Sequence, residues 1–426
     1  MNQNISTEWS KTERIIFRLG FCYLSFYFIF LDSFFVGYLF PFLNYNIHAP
    51  FQYISDIFIR LVNRLFIHNL YDKDIYTGMG DTSWFCIAML SYFIMSILAT
   101  VVWTTFDKRK NYIRLYTYLQ IYARYYLAFV LFEYGIAKLT GEQFPEPLPD
   151  WLSQPTGNMD SHTLLWLFMG ASKSYNFFAG FIEVLAGGLL LFKKTSALGS
   201  LMAIAVLTNV LILNIAYDTL VKTLLAHFIL IGFFILAPNI KRVFIFFVLN
   251  KPSALTTIPT PFHQNKFKWV AYSLKFIFIG LFTFLCAKQF SEMADAQTKT
   301  YYGGIDGIYD IKEYYRNQER LLPLTTDTVR WKRIVINKFN FLTVQFMNDS
   351  ILQYSIQPDS INKSIALSLW NDSTFKSKLN YTLNNTGDYL FEGVYKKDSI
   401  WFISRKVDLQ TYPLLKDKGK VKWIWW

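Results

Sequence analysis

Apolar residues run in blocks of about 20 through roughly the first two thirds of the chain, separated by short polar or charged connections. A helix rises ~1.5 Å per residue, so each block can cross the ~30 Å hydrocarbon core of a bilayer. The pattern predicts seven spans, at 15–40, 82–105, 113–138, 173–192, 196–214, 220–238 and 268–287. The tract from Ser196 to Ala237 is about twice the core thickness and must fold back on itself. Between the first two spans, "IHAPFQYISDIFIRLVNRLFIHNL" alternates polar and apolar residues at helical spacing. It reads as an amphipathic helix lying on the membrane surface, with a further crossing as the alternative. "SHTLLWLFMGAS" (161–172) reads as a second piece lying along the membrane before the fourth span.

Beyond Lys288 the period changes. From about Tyr301 the chain is rich in Asn, Asp, Ser and Thr, and apolar residues alternate in runs such as "IDGIYDIKEYY", "RWKRIVINKF", "FLTVQFMND", "FKSKLNYTL" and "SIWFISRKV". Turn clusters separate these runs at Asn348-Asp349, Pro358-Asp359-Ser360, Asn371-Asp372-Ser373, Asn384 to Asp388 and Lys397-Asp398-Ser399. That rhythm predicts an antiparallel meander of about eight strands. Closure into a small up-and-down barrel is preferred because it leaves no exposed edge, with an open sheet or sandwich as the alternative.

Composition supports the membrane reading. The chain has 426 residues, 53% hydrophobic and 17% charged, against about a quarter charged in soluble domains. The net charge of +12 could point to nucleic acid, but the basic residues bracket the spans instead of forming one patch. Lys11, Arg14 and Arg18 precede the first span; Lys108, Arg109, Lys110 and Arg114 separate the second from the third; Lys193 and Lys194 separate the fourth from the fifth; Lys241, Arg242, Lys251, Lys266 and Lys268 precede the seventh. Segment 139–162 is acidic, with no lysine or arginine. The positive-inside rule then predicts a cytoplasmic N-terminus and an extracytoplasmic C-terminal domain, with no nucleic-acid role. The start of the chain lacks the form of a cleavable signal, so the first helix is expected to be retained. Cys22, Cys86 and Cys286 all fall in predicted spans, with no CxxC, disulfide framework or metal-type spacing.

Polar residues inside the spans are the candidate site. Arg124 and Glu183 sit near the middle of the third and fourth spans, and an ion pair between these antiparallel helices would neutralise both. It would be either the floor of a polar cavity or a bridge that fixes helix packing. Lys138 lies on the same helix face as Arg124 and either snorkels or lines the mouth of that cavity. Asp32, Glu133 and Lys275 are further charges in spans without an evident partner. In the hairpin, Asn214 is expected to cap the fifth helix, Asp218 to cap the sixth and pair with Lys222, and Asn209 to bond across helices. His227 is expected to be neutral and bonded to a neighbouring helix, with a proton relay as the alternative.

"RYYLAFVLFEYGIAKLTGEQF" (Arg124 to Phe144) and "GFIEVLAGGLLLFKKTSALGSLM" (Gly180 to Met202) together resemble the DoxX-like family of four-helix membrane proteins. The resemblance covers about 120–240 and rests on Arg124, Gly135, Lys138, Glu183 and Gly187-Gly188. It implies a four-helix core at 113–240; the helices of 1–112, the loop and span at 241–299 and the β domain at 300–426 depart from that short form, and the whole reads as a polytopic α-helical bundle of about seven spans with a C-terminal β domain. The resemblance also implies a bacterial inner-membrane accessory of quinone- or thiol-linked redox systems, with quinone as the implied ligand. The alternatives are an envelope scaffold that recruits an extracytoplasmic or membrane protein partner through 300–426, and a transporter. The latter lacks the inverted repeat and broken helices common in transporters.

Overall fold

The computed structural model describes residues 8–31, 48–68, 80–253, 304–369 and 372–416, with scattered helical positions between 269 and 292. Asp32, Lys275, Cys286 and most of the predicted seventh span lie outside the described residues. The chain packs as two compact units, Met1–Leu139 with Phe178–Lys288, and Thr140–Phe177 with Gln289–Trp426.

The first unit is helical. Helix α1 (Lys11–Phe26) opens on "SKTE", in which Ser10 and Glu13 cap each other's backbone at 3.1 and 2.7 Å, a reciprocal capping box. It runs on as a π-turn over Tyr27–Leu31. Helix α2 (His48–Phe66) packs through Ser55, Ile59 and Val62, leaving Tyr53, Ile57, Leu61 and Leu65 exposed. It forms where an amphipathic helix is expected. Helix α3 (Ser83–Phe106) is capped by Thr82, and α4 (Ile113–Thr140) carries Arg124 and Lys138. After short helices α5 (Pro149–Ser153) and α6 (Ser161–Ala171) come α7 (Lys173–Leu190), α8 (Ser196–Ala216), α9 (Lys222–Leu236) and α10 (Ile240–Phe247). Among the described residues, three stretches are long and apolar enough to cross a membrane by length and composition: Ser83–Phe106, Ser196–Ala216 and Lys222–Phe247. Helices α4 and α7 form where the third and fourth spans are expected, but they are less apolar.

Glycine sets the contact between α4 and α7. A Cβ on Gly180 would stand 2.5 Å from the Gly135 carbonyl oxygen, and one on Gly135 would stand 2.9 Å from that of Gly180. One on Gly187 would meet the Ala128 oxygen at 3.0 Å. Close backbone approach through small residues is the usual way apolar helices associate without a hydrophobic driving force. Gly188, one position on, faces open space.

In the second unit, β1 (Gly307–Arg316), β2 (Glu319–Arg320), β3 (Trp331–Ile336), β4 (Phe341–Phe346), β5 (Ile351–Asp359), β6 (Ser364–Leu369), β7 (Asp372–Leu383), β8 (Asp388–Tyr395) and β9 (Asp398–Lys406) form one antiparallel sheet. Pairing of β1 with β9 closes the eight long strands into the predicted barrel, with β2 as a short spur on β1. Pro358 and Asp359 belong to β5 and not to a turn; the chain reverses just after them, at Lys363 with φ 47°. Inward positions carry Tyr309, Tyr314, Trp331, Tyr354, Phe391 and Phe402. Ring centroids of Phe391 and Phe402 lie 5.1 Å apart, and those of Trp331 and Phe402 5.5 Å. An eight-stranded barrel encloses just enough room for such side chains. At the closing seam Asp388 of β8 accepts from Lys312 of β1 and Arg405 of β9, at 2.8 Å each. These bonds hold its carboxyl below the usual range.

The segment joining α4 to α7 docks on this barrel. Helix α5 lies against β1 and β3, where Asn337 Nδ2 donates to Asp150 Oδ2 at 2.5 Å and Arg333 Nη1 donates to the Ser153 carbonyl at 3.5 Å. Asn337 Oδ1 accepts from the Phe339 and Phe341 amides, which orients its amide toward Asp150. Burial pushes the Asp150 carboxyl up, against the lowering effect of hydrogen bonds from Asn337 and Thr343.

Two outcomes follow from these contacts. Gly180→Ala should cost about 1–3 kcal/mol in detergent unfolding because its methyl has no room, whereas Gly188→Ala should stabilise by up to about 1 kcal/mol through helix propensity. Docking raises the Asp150 pKa, so its contribution is complete below the usual value of 3.8 and is lost as pH rises through the raised value. Followed from acidic to mildly alkaline pH, Asp150→Asn should therefore lose part of the decline in melting temperature that the wild type shows.

Candidate functional site

The predicted Arg124–Glu183 pair is not formed. Lys138 Nζ donates to Glu183 Oε2 at 2.8 Å, with both side chains at 5% exposure or less. Arg124 instead donates from Nε to the Leu190 carbonyl at 3.1 Å and from Nη2 to that of Leu191 at 3.3 Å. The reason is register. Glu183 lies between Gly180 and Gly187 on the face that meets α4, and Lys138 follows Gly135 by three residues. Because Gly135 abuts Gly180 and Gly187 abuts Ala128, the two helices run antiparallel and Glu183 lies level with Phe132. Glu183 and Lys138 each lean toward their own helix N-terminus, hence toward each other, whereas Arg124 leans away. Arg124 then falls level with the end of α7, seven residues and about 10 Å beyond Glu183. Centring both charges on the predicted spans missed this offset. The midplane pair becomes a buried pair farther toward the C-terminal end of α4, while Arg124 binds helix-terminal carbonyls that favour a cation. Glu133 is not free.

The hairpin between α8 and α9 is held mostly as a capped turn. Asn214 does not cap α8, which runs past it to Ala216 and is capped by Tyr217; its Nδ2 donates back to the Val210 carbonyl at 2.7 Å, and its Oδ1 accepts from Thr219 Oγ1. Asp218 has φ 48° and pairs with Lys222 at 2.8 Å, as expected from their spacing. It does not cap α9. That role falls to Asp81, whose two carboxylate oxygens accept from the Lys222 and Thr223 amides at 2.8 Å each. No local pattern points to this, because Asp81 lies far along the chain from α9 and reads as part of the α3 entry. Asn209 is exposed, not engaged across helices.

His227 bonds to a neighbouring helix, as expected. Its Nδ1 lies 2.7 Å from the Thr223 carbonyl, which can only accept, so Nδ1 carries the proton. Nε2 then accepts from the Tyr23 hydroxyl at 2.6 Å. The ring stacks on Tyr27 with centroids 5.0 Å apart. Arg18, expected only as a topogenic charge, is buried: it donates to Tyr112 Oη at 2.9 Å, Thr104 Oγ1 at 2.8 Å and the Asp107 carbonyl at 3.0 Å. Among the described residues, no group of three or more His, Cys, Asp or Glu could hold a metal ion.

These features define a helical chain with membrane-length apolar helices and a closed antiparallel barrel. No family model matches the chain, and no solved structure matches it. It is similar to the uncharacterized protein YwoB of Bacillus subtilis (strain 168), at 38% identity over 101 residues. The matched segment is 24% of this chain and 64% of that relative, so the chain spans less than two thirds of the relative's length.

Removing one member of the buried pair strands the other. Lys138→Met or Glu183→Gln alone should each cost about 3–5 kcal/mol in unfolding, and the double replacement Lys138→Met with Glu183→Leu should recover most of that loss.

Proposed function

We propose that this chain is a non-catalytic scaffold or assembly component of the bacterial inner membrane. Its bundle crosses about seven times from a cytoplasmic N-terminus, and its barrel, outside, recruits an envelope partner. The observation that carries this reading is where the deep polar groups spend their bonds. Lys138 and Glu183 close on each other, Arg124 on backbone carbonyls, and His227 on Tyr23 and Thr223. Each serves the packing of helices. The barrel interior is filled by aromatic rings, which leaves its outer surface and rims for recognition. The acidic segment 139–162, expected outside, docks on that barrel through Asp150 and Ser153, in keeping with an extracytoplasmic C-terminal domain.

A second reading, an accessory of a quinone- or thiol-linked redox system, draws on the DoxX-like resemblance. It is favoured by the convergence of Gly135, Lys138, Glu183 and Gly187 at one helix contact. Lys138 has N–H groups beyond the one given to Glu183, enough to hold a quinone carbonyl.

Photo-crosslinking residues at exposed Ile361 and Val394, in otherwise intact chain in native membranes, test the first reading. The expected result is a discrete adduct with one envelope protein. Absence of any adduct at the barrel surface, together with quinone recovered from the purified wild type and lost in Lys138→Met, would favour the second.

A further inference from the structure

The start of α1 is tied to the turn between α3 and α4 through three backbone oxygens. The Trp9 amide donates to the Lys110 carbonyl at 3.0 Å, Arg14 Nη1 to that of Arg109 at 3.3 Å, and Arg18 Nη2 to that of Asp107 at 3.0 Å. Residues 8–18 and 107–112, brought together in this way, hold six lysines and arginines against three carboxylates. Those carboxylates are engaged. Glu8 accepts from Lys110, and Glu13 closes the capping box with Ser10. Asp107 accepts from the Trp103 indole at 2.8 Å and the Arg109 amide at 2.9 Å, and lies 3.7 Å from Arg109 Nε. Lys11, Arg14 and Lys108 are left without a carboxylate partner among the described residues.

Arg14 is the least satisfied of the three. It is half-buried, one of its five N–H groups meets an acceptor, and its Nε is buried without one among the described residues. Lys11 precedes it by three residues on the same helix face, and Lys108 immediately precedes the residue whose carbonyl Arg14 binds. A planar fork beside point charges suits tetrahedral phosphate oxygens. The flanks select among phosphates. Inward from this end both helices pass from cations to exposed apolar residues, with Ile16 at 65% beyond Arg14 and Phe106 at 83% beyond Lys108. Trp9 and Trp103 stand at the same level, and tryptophan collects where headgroups meet hydrocarbon. A free ion would use the cations alone; a ligand with acyl chains uses both zones. We infer that Lys11, Arg14 and Lys108 bind the phosphate of an anionic membrane lipid at the end of the helical unit where α1 begins. That this end faces the cytoplasm rests on the topology proposed above; the choice between scaffold and redox accessory does not enter. Basic clusters beside apolar helices on the cytoplasmic side recognise anionic headgroups by this chemistry.

Native mass spectrometry of the full chain released from nanodiscs of equal phosphatidylglycerol and phosphatidylcholine tests the inference. Wild type should retain phosphatidylglycerol in clear excess. Lys11→Gln and Lys108→Gln, both at exposed positions, should melt like wild type and each reduce that excess about five-fold, as expected for one cation near a headgroup. Arg14→Gln should reduce it at least as much, and Arg14→Lys should restore part of it, because the charge returns without the fork. Lys194→Gln is the control: it removes one charge from another exposed turn predicted on the same face and should leave the excess unchanged. Equal retention of the two lipids in discs that contain the chain overturns the inference alone. So does a loss that Lys194→Gln reproduces, which would reduce the effect to net charge. Failure to enter nanodiscs at all overturns it together with the membrane topology. Arg14-dependent binding of inorganic phosphate in phosphatidylcholine-only discs, with ready displacement of phosphatidylglycerol, would make free phosphate the ligand and overturn the lipid assignment.

Discussion

The helical unit depends on the approach of Gly135 to Gly180. With a Cβ on either residue less than 3 Å from the opposing carbonyl oxygen, the two backbones meet in a way no other residue pair permits. Helices pressed this closely cannot slide without collision, so one contact sets the register of α4 on α7. The polar side chains follow from that register. Lys138 and Glu183 lean toward each other from either side of the glycine contact and neutralise each other where an isolated charge would be costly, and Arg124 reaches the terminus of α7. The buried ion pair is thus a consequence of small-residue packing; it adds specificity by penalising any other register.

A different constraint governs the second unit. Closure through β1 and β9 removes the sheet edges that an eight-stranded meander would otherwise expose. Closure in turn forces the inward side chains into one column, which large rings fill. Such a barrel is a rigid body with its chemistry on the outside. Asp388 braces the closing seam between Lys312 and Arg405, and Asp150 bonds to Asn337 just past the end of β3.

Much of the fold was legible because it is written in local periods. Alternation along "RWKRIVINKF" and "FKSKLNYTL" located strands to within a few residues, and the turn clusters spaced them. Pro358 and Asp359 misled because a proline near a strand end looks like a turn, although the end of a strand tolerates it. The hairpin of α8 and α9 was legible from the length of its apolar tract, and Lys222 from its spacing to Asp218. His227 was legible as a bonded histidine, though Tyr23 as its partner was not. What escaped were pairings between distant segments: Asp81 on the α9 amides, Arg18 among Tyr112, Thr104 and Asp107, and Lys138 in place of Arg124 as the partner of Glu183.

By itself the sequence determined that apolar helices precede a closed meander, where the chain reverses, and which polar residues lie within helices. Those are properties of neighbours along the chain, encoded in hydrophobic period and turn chemistry. Only the tertiary structure decided which charge meets which. Where two backbones can touch sets the axial offset between helices, and the lean of each side chain toward its own helix N-terminus then decides which charges meet. The contact of Gly135 with Gly180 made that choice.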